Sequence, residues 1–382
     1  MVIIMRVLMT GGGTAGHINP ALSIADKIKK ENPDAEILFV GAKGRMETLL
    51  VPAAGYKIET MNVSGFQRRL SVKNIGRNIS SAFRALTAGA ECSRILKKFR
   101  PDIAIGTGGY VSGPILRKAA RMGIPVVVHE SNAYPGVTVK MLSKYADAVL
   151  IAEMSARKYL PANARVLVTG NPLGAEFLQY DRETARKELG LDERPMVLSF
   201  GGSLGAEQIN RVMAEVLIKS AHQGGLQHIH ATGKKGFEAM KGRLGEHIKE
   251  NTPGIHVREY INDMARCMAA ADLVISRCGA MTLNELPAAG RPSILIPSPN
   301  VAENHQYHNA MALVNKGAAV CIEEKNLTAD RLWNEIKRIT SSPDDMRKMG
   351  ENARSSAIYD ASDRIYAVVV QILKDRKKYK AD

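Results

Sequence analysis

A short apolar run followed at once by a glycine-rich turn and a helix occurs twice in the chain, and this unit constrains the fold most. Its copies are MVIIMRVLMTGGGTAGHINP at residues 1–20 and PMVLSFGGSLGAEQINRV at residues 195–212. Continuous runs of Val, Ile, Leu and Met are typical of strands buried on both faces of a parallel sheet. The glycines let backbone N–H groups approach a ligand closely, and a helix start favours negative charge. Two copies therefore predict two parallel sheets, each with a binding site beyond the ends of its strands.

Strand-like and helical segments alternate through both halves, which predicts an α/β protein with one doubly wound parallel sheet in each half. The 382 residues suffice for two domains of ordinary size. A strand that ends in Gly-Asn-Pro marks the join within Leu167–Phe177. We therefore expect an N-terminal domain over residues 1–170 and a C-terminal domain over residues 171–359, with the last helix, residues 360–382, packing back on the first domain.

Composition limits the class of protein. Hydrophobic residues make up 45% of the chain and charged residues 24%, the profile of a soluble globular protein. No basic segment precedes the first apolar run, which argues against a secretory signal, and no apolar stretch reaches the roughly 18 residues of a membrane-spanning helix. The four scattered cysteines have no C-x-x-C spacing and are typical of buried thiols in a reducing cytosol.

Positive charge is concentrated in the first half. The formal net charge is +15, of which residues 1–170 carry +13 (24 Lys and Arg against 11 Asp and Glu) and residues 171–382 carry +2. This asymmetry indicates that the positive charge binds an anionic partner, either a nucleic acid or a lipid surface. The alternative, which we favour less, is that the lysines serve only to keep the protein soluble. Aromatic residues make up only 5% and no RNA-binding motif interleaves them with the basic residues, which argues against nucleic acid.

A basic amphipathic stretch within residues 65–100 is the candidate membrane-facing surface. It holds nine Lys and Arg and a single acid, Glu91. An apolar stripe at helical spacing runs through it, formed by Val72, Ile75, Ile79, Phe83 and Leu86. A basic amphipathic helix can lie on an anionic bilayer, although an ordinary core-facing stripe has the same spacing.

The first glycine turn is compatible with more than one class of enzyme. Gly11, Gly13 and Gly16 satisfy the G-x-G-x-x-G spacing of dinucleotide-binding dehydrogenases, which is the alternative enzyme class. That class needs an acidic residue at the end of the second strand, where this chain has Phe39-Val40-Gly41. No Gly-Lys-Ser/Thr follows the turn, which excludes the phosphate loop of nucleotide-hydrolysing proteins.

His17 follows this turn at the start of a helix and is the candidate general base. A helix N-terminus disfavours imidazolium, so we expect the ring to stay neutral near pH 7, in the form that accepts a proton. A surface histidine without a catalytic role is the alternative interpretation at a helix start.

The second half offers contacts for a sugar nucleotide. Ser203 and the N–H groups of Leu204 and Gly205 lie at a helix start and are predicted to bind a diphosphate. Glu285 follows another strand–glycine junction, where a carboxylate can accept both hydroxyls of a ribose or simply complement the helix dipole. The amide of Gln306 can both donate to and accept from sugar hydroxyls. No Asp-x-Asp or H-E-x-x-H occurs, which favours a site without a metal.

Seven motifs, in order along the chain, resemble those of one family. They are GGGTAGH, GTGGYVSGP, HESN, GNP, FGGSLGA, SRCGAMTLNE and ENHQYHNA. The family is that of the UDP-N-acetylglucosamine–N-acetylmuramyl-(pentapeptide) pyrophosphoryl-undecaprenol N-acetylglucosamine transferases, known as MurG. The resemblance implies a GT-B glycosyltransferase with two Rossmann-like domains facing an interdomain cleft. The implied reaction is the inverting transfer of GlcNAc from UDP-GlcNAc to the C4 hydroxyl of the MurNAc of lipid I, giving lipid II.

The resemblance also implies roles for individual residues. His17 matches the proposed base for the acceptor hydroxyl, and Tyr110 and Ser112 lie in the loop associated with the acceptor diphosphate. The residues that match donor contacts are Thr14, Ala15, Gly16, Asn132, Ser203, Ile261, Ala280, Met281, Thr282, Leu283, Asn284, Glu285 and Gln306. No cofactor or metal is implied. The implied partners are UDP-GlcNAc, lipid I and the anionic inner leaflet of the cell membrane, with the chain peripheral on its cytoplasmic face and no nucleic acid bound.

The chain departs from the family pattern in three places. Ala15 replaces a common glycine, which is a mild change. Leu173 and Gly174 stand where some members carry an arginine after Gly-Asn-Pro, so a nucleotide contact there would come from the backbone. His305 stands where some relatives have glutamine.

Overall fold

The chain divides into two compact units, each built around its own parallel sheet. The first unit is Met1–Pro172 with Asp360–Asp382, and the second is Leu173–Tyr359. The boundary after Pro172 lies inside the join predicted from the sequence. The computed structural model describes residues 5–63, 89–202, 204–249 and 252–379. Ser203 and the predicted apolar stripe between residues 72 and 86 lie outside the described residues.

The first sheet has seven parallel strands in the order β3-β2-β1-β4-β5-β6-β7. These strands are β1 (Arg6–Thr10), β2 (Glu36–Ala42), β3 (Lys57–Met61), β4 (Ile103–Gly106), β5 (Val126–Glu130), β6 (Ala148–Ile151) and β7 (Val166–Val168). The second sheet has six in the order β10-β9-β8-β11-β12-β13. They are β8 (Met196–Phe200), β9 (Gln227–Ala231), β10 (Ile255–Arg258), β11 (Leu273–Ser276), β12 (Ser293–Leu295) and β13 (Ala319–Cys321). The strand order reverses between β1 and β4 and again between β8 and β11, and sheets of this kind bind ligands at such a switch point.

Helices cover both faces of each sheet. They are α1 (Ala15–Glu31), α2 (Glu47–Ala53), α3 (Ser112–Arg121), α4 (Val137–Leu142), α5 (Arg182–Glu188), α6 (Glu207–Gln223), α7 (Phe237–Leu244), α8 (Met264–Ala270), α9 (Thr282–Ala289), α10 (His305–Val314), α11 (Ala329–Thr340), α12 (Pro343–Arg354) and α13 (Ala361–Tyr379). Residues 89–99 are also helical. Short 3-10 helices lie at Met154–Tyr159, Ala175–Leu178, Ala302–Asn304 and Glu324–Asn326. Within the described ranges, no helix is long and apolar enough to span a membrane.

The cores explain why the strands are continuously apolar. In β1, Val7 and Met9 join a core layer with α1, whereas Leu8 joins the layer on the other face with α3. In β8, Val197 packs with α6 and α11, and Leu198 packs on the opposite face with α8. Successive side chains of a strand point to opposite faces of the sheet. Because helices cover both faces, all of these side chains are buried.

The last helix completes the first unit. Ile365 and Val369 of α13 are buried in the same layer as Val7 of β1. The side-chain amide of Asn32, just beyond α1, donates to the hydroxyl of Tyr366 at 2.6 Å. Residues of the chain end therefore form part of the first core.

Two histidines of β9 are fully buried in the second unit. The Nε2 of His228 lies 2.9 Å from the hydroxyl of Ser220, and the Nδ1 of His230 lies 2.8 Å from the hydroxyl of Ser199. Burial lowers the pKa of His228 to about 3 and that of His230 to about 4. Both rings are neutral structural groups.

Replacing His228 with glutamine should remove part of the pH dependence of the free energy of unfolding. The folded pKa of about 3 lies below the value near 6.5 of an unfolded histidine, so the unfolded chain binds more protons and stability falls as pH falls below about 6.5. From pH 7.5 to 5.5 this loss is about 1.4 kcal/mol. Urea unfolding at both pH values should show a loss smaller by that amount in the variant, since the other groups titrate alike. Equal losses in the two proteins would contradict the prediction.

Candidate active site

The predicted site residues of the first unit lie on loops that leave three neighbouring strands. His17 follows β1, Tyr110 follows β4, and Asn132 follows β5. Because β1, β4 and β5 are adjacent and parallel, their carboxyl ends meet at one edge of the sheet. The fold therefore brings these loops together at the switch point.

His17 and Thr107 form a reciprocal pair across the switch point. The Nδ1 of His17 lies 3.0 Å from the backbone carbonyl oxygen of Thr107. The hydroxyl of Thr107 donates in return to the carbonyl oxygen of His17 at 2.5 Å. Because a carbonyl oxygen only accepts, Nδ1 carries the proton, and a neutral ring then has its lone pair on Nε2. In this tautomer, Nε2 is the ring nitrogen that is able to accept a proton.

Gly108 lets the imidazole lie flat against the loop after β4. A Cβ at this position would lie 2.8 Å from the Nδ1 of His17, and the residue has φ +104°, a conformation that side-chain-bearing residues rarely adopt. The GTGG part of the loop motif thus supplies both the acceptor for His17 and the space for its ring.

The predicted donor contacts of the first turn surround the start of α1. Thr14 has extended backbone, is exposed, and accepts through its carbonyl oxygen from the N–H groups of His17 and Ile18 at 3.1 and 3.2 Å. Ala15 and Gly16 are half-buried in the first helical turn. All three residues are at least partly exposed to solvent.

Tyr110 and Ser112, the predicted acceptor contacts, have different environments. The ring of Tyr110 packs against Gly13, and within the described residues its buried hydroxyl oxygen has no hydrogen-bond partner. Ser112 is fully buried, and its hydroxyl lies 2.6 Å from the carbonyl oxygen of Gly108 and 3.4 Å from that of Thr10. The hydroxyl of Ser112 is therefore used to shape the loop, and only Tyr110 presents an unsatisfied polar group there.

Asn132 is held by a buried carboxylate. Glu130 is almost fully buried, and its Oε1 accepts from both the backbone N–H and the side-chain amide of Asn132 at 2.9 Å. Its Oε2 accepts from the N–H of Gly136 at 2.8 Å. Burial raises the pKa of Glu130, and the hydrogen bonds from Asn132 and Gly136 oppose that rise. Glu130 therefore fixes the nitrogen side of the Asn132 amide toward the protein.

The loop that carries Asn132 is also tied to the Gly-Asn-Pro segment. The Nε2 of His129 donates to the carbonyl oxygen of Gly170 at 3.0 Å, and the amide of Asn171 donates to the carbonyl oxygen of Ser131 at 3.1 Å. His129 is fully buried, and burial lowers its pKa to about 4. These bonds hold the HESN loop against the GNP segment.

The second glycine turn differs from the prediction at one amide. The N–H of Gly205 donates to the carbonyl oxygen of Gly202 at 2.9 Å, so it closes the turn and is not available to a diphosphate. Leu204 at the tip of the turn is highly exposed. The hydroxyl of Ser203 lies outside the described residues, so its predicted phosphate contact stays a prediction.

Glu285 lies in the first turn of α9, at the carboxyl end of β11. Within the described part of the chain, its carboxylate has neither a hydrogen bond nor an ion pair. Burial raises its pKa to about 7, and the nearby charge of Glu176 adds to the rise. A half-buried carboxylate to which no described residue donates is suited to accept from the hydroxyls of a ligand.

Gln306 of α10 is oriented by the backbone. Its Oε1 accepts from the N–H of Ser298 at 2.9 Å and from that of Cys278 at 3.3 Å. One turn later, the amide of Asn309 donates to the carbonyl oxygen of Cys278 at 3.1 Å. Because the oxygen of Gln306 is engaged, its amide offers a ligand only N–H donors, in contrast to the predicted double role.

The remaining predicted donor contacts are split between surface and core. Residues 280–284 are partly exposed at the start of α9. They are Ala280, Met281, Thr282, Leu283 and Asn284. The side chain of Ile261, in contrast, is buried in the core with Phe200 and Met268, so a nucleotide contact there would come from its backbone.

Sequence reasoning missed the residues that orient the predicted ones. Thr107 lies in the GTGGYVSGP motif, and His129 and Glu130 lie in HESN. Their position beside predicted site residues is the sequence signal that could have identified them. Asn309 similarly follows Gln306 by one helical turn. Glu47, which contacts the first glycine turn, lies in no quoted motif. Within the described ranges, no group of three or more His, Cys, Asp or Glu side chains could hold a metal ion.

Comparisons with known proteins agree with the motifs. Residues 7–151 match the N-terminal domain and residues 196–365 the C-terminal domain of glycosyltransferase family 28. A protein from Acetivibrio thermocellus, named UDP-N-acetylglucosamine–N-acetylmuramyl-(pentapeptide) pyrophosphoryl-undecaprenol N-acetylglucosamine transferase, is 47% identical over 373 residues, which are 97% of this chain and 99% of the relative. A protein of the same name from Limosilactobacillus fermentum is 42% identical over 377 residues, which are 98% of this chain and 100% of the relative.

A solved structure has the same fold. The crystal structure of MurG from Acinetobacter baumannii matches with a TM-score of 0.79 and 27% identity, covering 96% of this chain and 99% of that chain. The two Rossmann-like units thus form a GT-B fold, and the dehydrogenase interpretation is wrong. With both family 28 domains matched and relatives more than 40% identical over nearly its whole length, the chain belongs to the MurG family of glycosyltransferases.

Proposed function

We propose that this chain transfers GlcNAc from UDP-GlcNAc to the C4 hydroxyl of the MurNAc of lipid I, with inversion at the anomeric carbon, and so forms lipid II. The names of the relatives support this substrate pair. The observation that carries the proposal for this chain is the His17–Thr107 pair, because it provides a base with a defined tautomer at the switch point of the first sheet.

The proposed reaction is a single displacement. The acceptor hydroxyl gives its proton to the Nε2 of His17 as its oxygen forms a bond to the anomeric carbon of GlcNAc. The bond between that carbon and the diphosphate oxygen breaks on the opposite side, and UDP leaves. The carbonyl of Thr107 keeps the Nδ1 proton in place and so orients the ring throughout. The imidazolium then releases its proton to water.

The second unit is proposed to hold the donor. Glu285 accepts from the ribose hydroxyls, and the N–H groups of the Gln306 amide donate to the GlcNAc hydroxyls. The hydroxyl of Ser203 and the N–H of Leu204, in the glycine turn before α6, stabilise the charge that develops on the departing diphosphate. No metal is assigned to this step.

The first unit is proposed to attach peripherally to the cytoplasmic face of the membrane. Beyond the predicted stripe, an apolar and basic surface is present on α3 and α4. Met141 lies beside the start of α3, and Arg117 lies over the ring of exposed Tyr145 at 5.8 Å. Lys144 is exposed between them. Apolar side chains next to cationic ones can bind a membrane leaflet that contains anionic lipids.

Replacing His17 with alanine should lower kcat by about 10²- to 10⁴-fold, because general-base catalysis contributes that much. Steady-state kinetics with radiolabelled UDP-GlcNAc and a short-chain lipid I analogue would measure kcat, and calorimetry should show unchanged affinity for UDP-GlcNAc. EDTA should leave wild-type activity intact. The exposed His222, replaced in the same way, is the matched control. A fall of less than about tenfold, with chemistry rate-limiting, would leave His17 outside catalysis.

Replacing Glu285 with glutamine should weaken UDP-GlcNAc binding by about 10- to 150-fold at pH 8, because a hydrogen bond to a charged group contributes about that much to affinity. In the wild type, the raised pKa of about 7 means that the carboxylate is lost as pH falls, so the Kd should rise about tenfold from pH 8 to pH 6. In the variant, this pH dependence should disappear. Calorimetry at both pH values tests this, and an unchanged Kd in the variant would remove Glu285 from the donor site.

Replacing Met141 and Tyr145 with serine, together with Arg117 and Lys144 with glutamine, should reduce binding to vesicles that contain anionic lipid. Turnover of a water-soluble acceptor analogue should stay unchanged. Added salt should weaken wild-type attachment.

The matched control removes the same number of charges from the second unit, by replacing exposed Lys249 and Lys325 with glutamine. Equal vesicle binding by wild type and the first variant would show that this surface does not dock.

A further inference from the structure

The loop that follows β9 packs directly against the second glycine turn. β9 pairs in parallel with β8 on one side and with β10 on the other, so its loop leaves the sheet between theirs. A Cβ at Gly205 would lie 2.0 Å from the carbonyl oxygen of Thr232, and a Cβ at Gly233 would lie 2.3 Å from the backbone nitrogen of Gly205. The buried amide of Asn210 on α6 donates to the same carbonyl of Thr232 at 2.9 Å. The two loops therefore form one fixed surface.

This loop carries two lysines in a closed turn. The N–H of Gly236 donates to the carbonyl oxygen of Gly233 at 2.9 Å, and Lys234 and Lys235 lie between them, so we call residues 233–236 the dilysine turn. The N–H of Gly233 donates in turn to the carbonyl oxygen of Glu259, in the loop after β10, at 2.9 Å. The backbone of the dilysine turn is thus held from both neighbouring loops, and its side chains are left to interact elsewhere.

The charges of the dilysine turn differ from the other cations at this edge of the sheet. Both lysines are exposed, and with the residues that the structure describes neither forms an ion pair. In contrast, Arg258 at the end of β10 lies 3.6 Å from a carboxylate oxygen of Asp263. Arg277, directly after β11, is paired with Glu324. The lysines can therefore bind an external anion without breaking a described ion pair.

The dilysine turn lies between two loops to which different parts of the donor are assigned. The family resemblance assigns the phosphate to Ser203, in the glycine turn after β8, and a nucleotide contact to Ile261, in the loop after β10. Neighbouring strands are about 4.8 Å apart, so a nucleotide that reaches from one of these loops to the other passes the loop after β9. A lysine binds phosphate as a point charge at the end of a flexible stem.

We propose that Lys234 and Lys235 are donor-binding residues whose charges hold the diphosphate of UDP-GlcNAc. The inference rests on the proposed function, because it takes UDP-GlcNAc as the donor. It adds positive charge to a diphosphate site to which only neutral groups, the hydroxyl of Ser203 and the N–H of Leu204, are otherwise assigned.

Comparison of UDP with uridine tests this, because only UDP carries phosphate. Lys234→Gln together with Lys235→Gln should raise the Kd of UDP about 5- to 30-fold at low ionic strength, since each exposed ion pair contributes a factor of about 2 to 5. Calorimetry measures this change, which should shrink in high salt. The Kd of uridine, from an NMR titration, should be the same in wild type and variant.

Two further variants separate local charge from other effects. Lys234→Arg together with Lys235→Arg keeps both charges and should bind UDP like the wild type. The matched control removes two charges at exposed Lys187 and Lys249, in the segments that lead into β8 and β10 from the opposite edge of the sheet, and should leave the Kd of UDP unchanged.

Three results would overturn the inference: a glutamine variant that binds UDP like the wild type, an equal loss of affinity for UDP and uridine, or an equal loss in the matched control. A wild type that binds UDP but transfers no GlcNAc to the lipid I analogue would instead overturn the proposed function.

Discussion

The site of the first unit depends on the adjacency of β1 and β4, which are far apart in sequence but paired in the sheet. Their register, Thr10 opposite Gly106, brings the next residues of both strands together. This arrangement lets His17 and Thr107 form two hydrogen bonds with each other, although 90 positions separate them in the sequence. The backbone that follows β4 therefore fixes both the position of the His17 ring and its tautomer.

The two units share one topology but carry different side chains at the ends of their strands. Each places its glycine turn at the end of the first strand and beside the fourth strand of its sheet. In the first unit this junction holds a histidine, and a buried acid lies behind the turn. In the second unit, α9 begins at the end of the fourth strand and carries a half-buried carboxylate, to which no described residue donates. The distinction lies in a few side chains and not in the fold.

Much of the fold was predictable from the sequence, and the contacts that the sequence did not reveal have a common cause. Apolar runs and glycine turns predicted both parallel sheets, because strand burial and backbone approach are local properties of sequence. The motifs also singled out His17 and Glu285, whose roles stay predictions. Sequence could not show that the hydroxyl of Ser112, the oxygen of Gln306 and the N–H of Gly205 are already engaged by backbone groups. It could not reveal Glu47 either, because a buried acid 34 positions from its partner has no local pattern.

The return of α13 to the first unit has a consequence for biosynthesis. The second unit is a continuous segment, so all of its core has been synthesised once Tyr359 has left the ribosome. The first core contains Ile365, Val369 and Ile372, which are added last. During translation, the first core therefore stays incomplete until α13 has been made, after the whole second unit, whereas the domains of multidomain chains usually fold in order from the N-terminus. Apolar side chains of the nascent first unit that α13 later covers are exposed in the meantime, and exposed apolar surface favours aggregation.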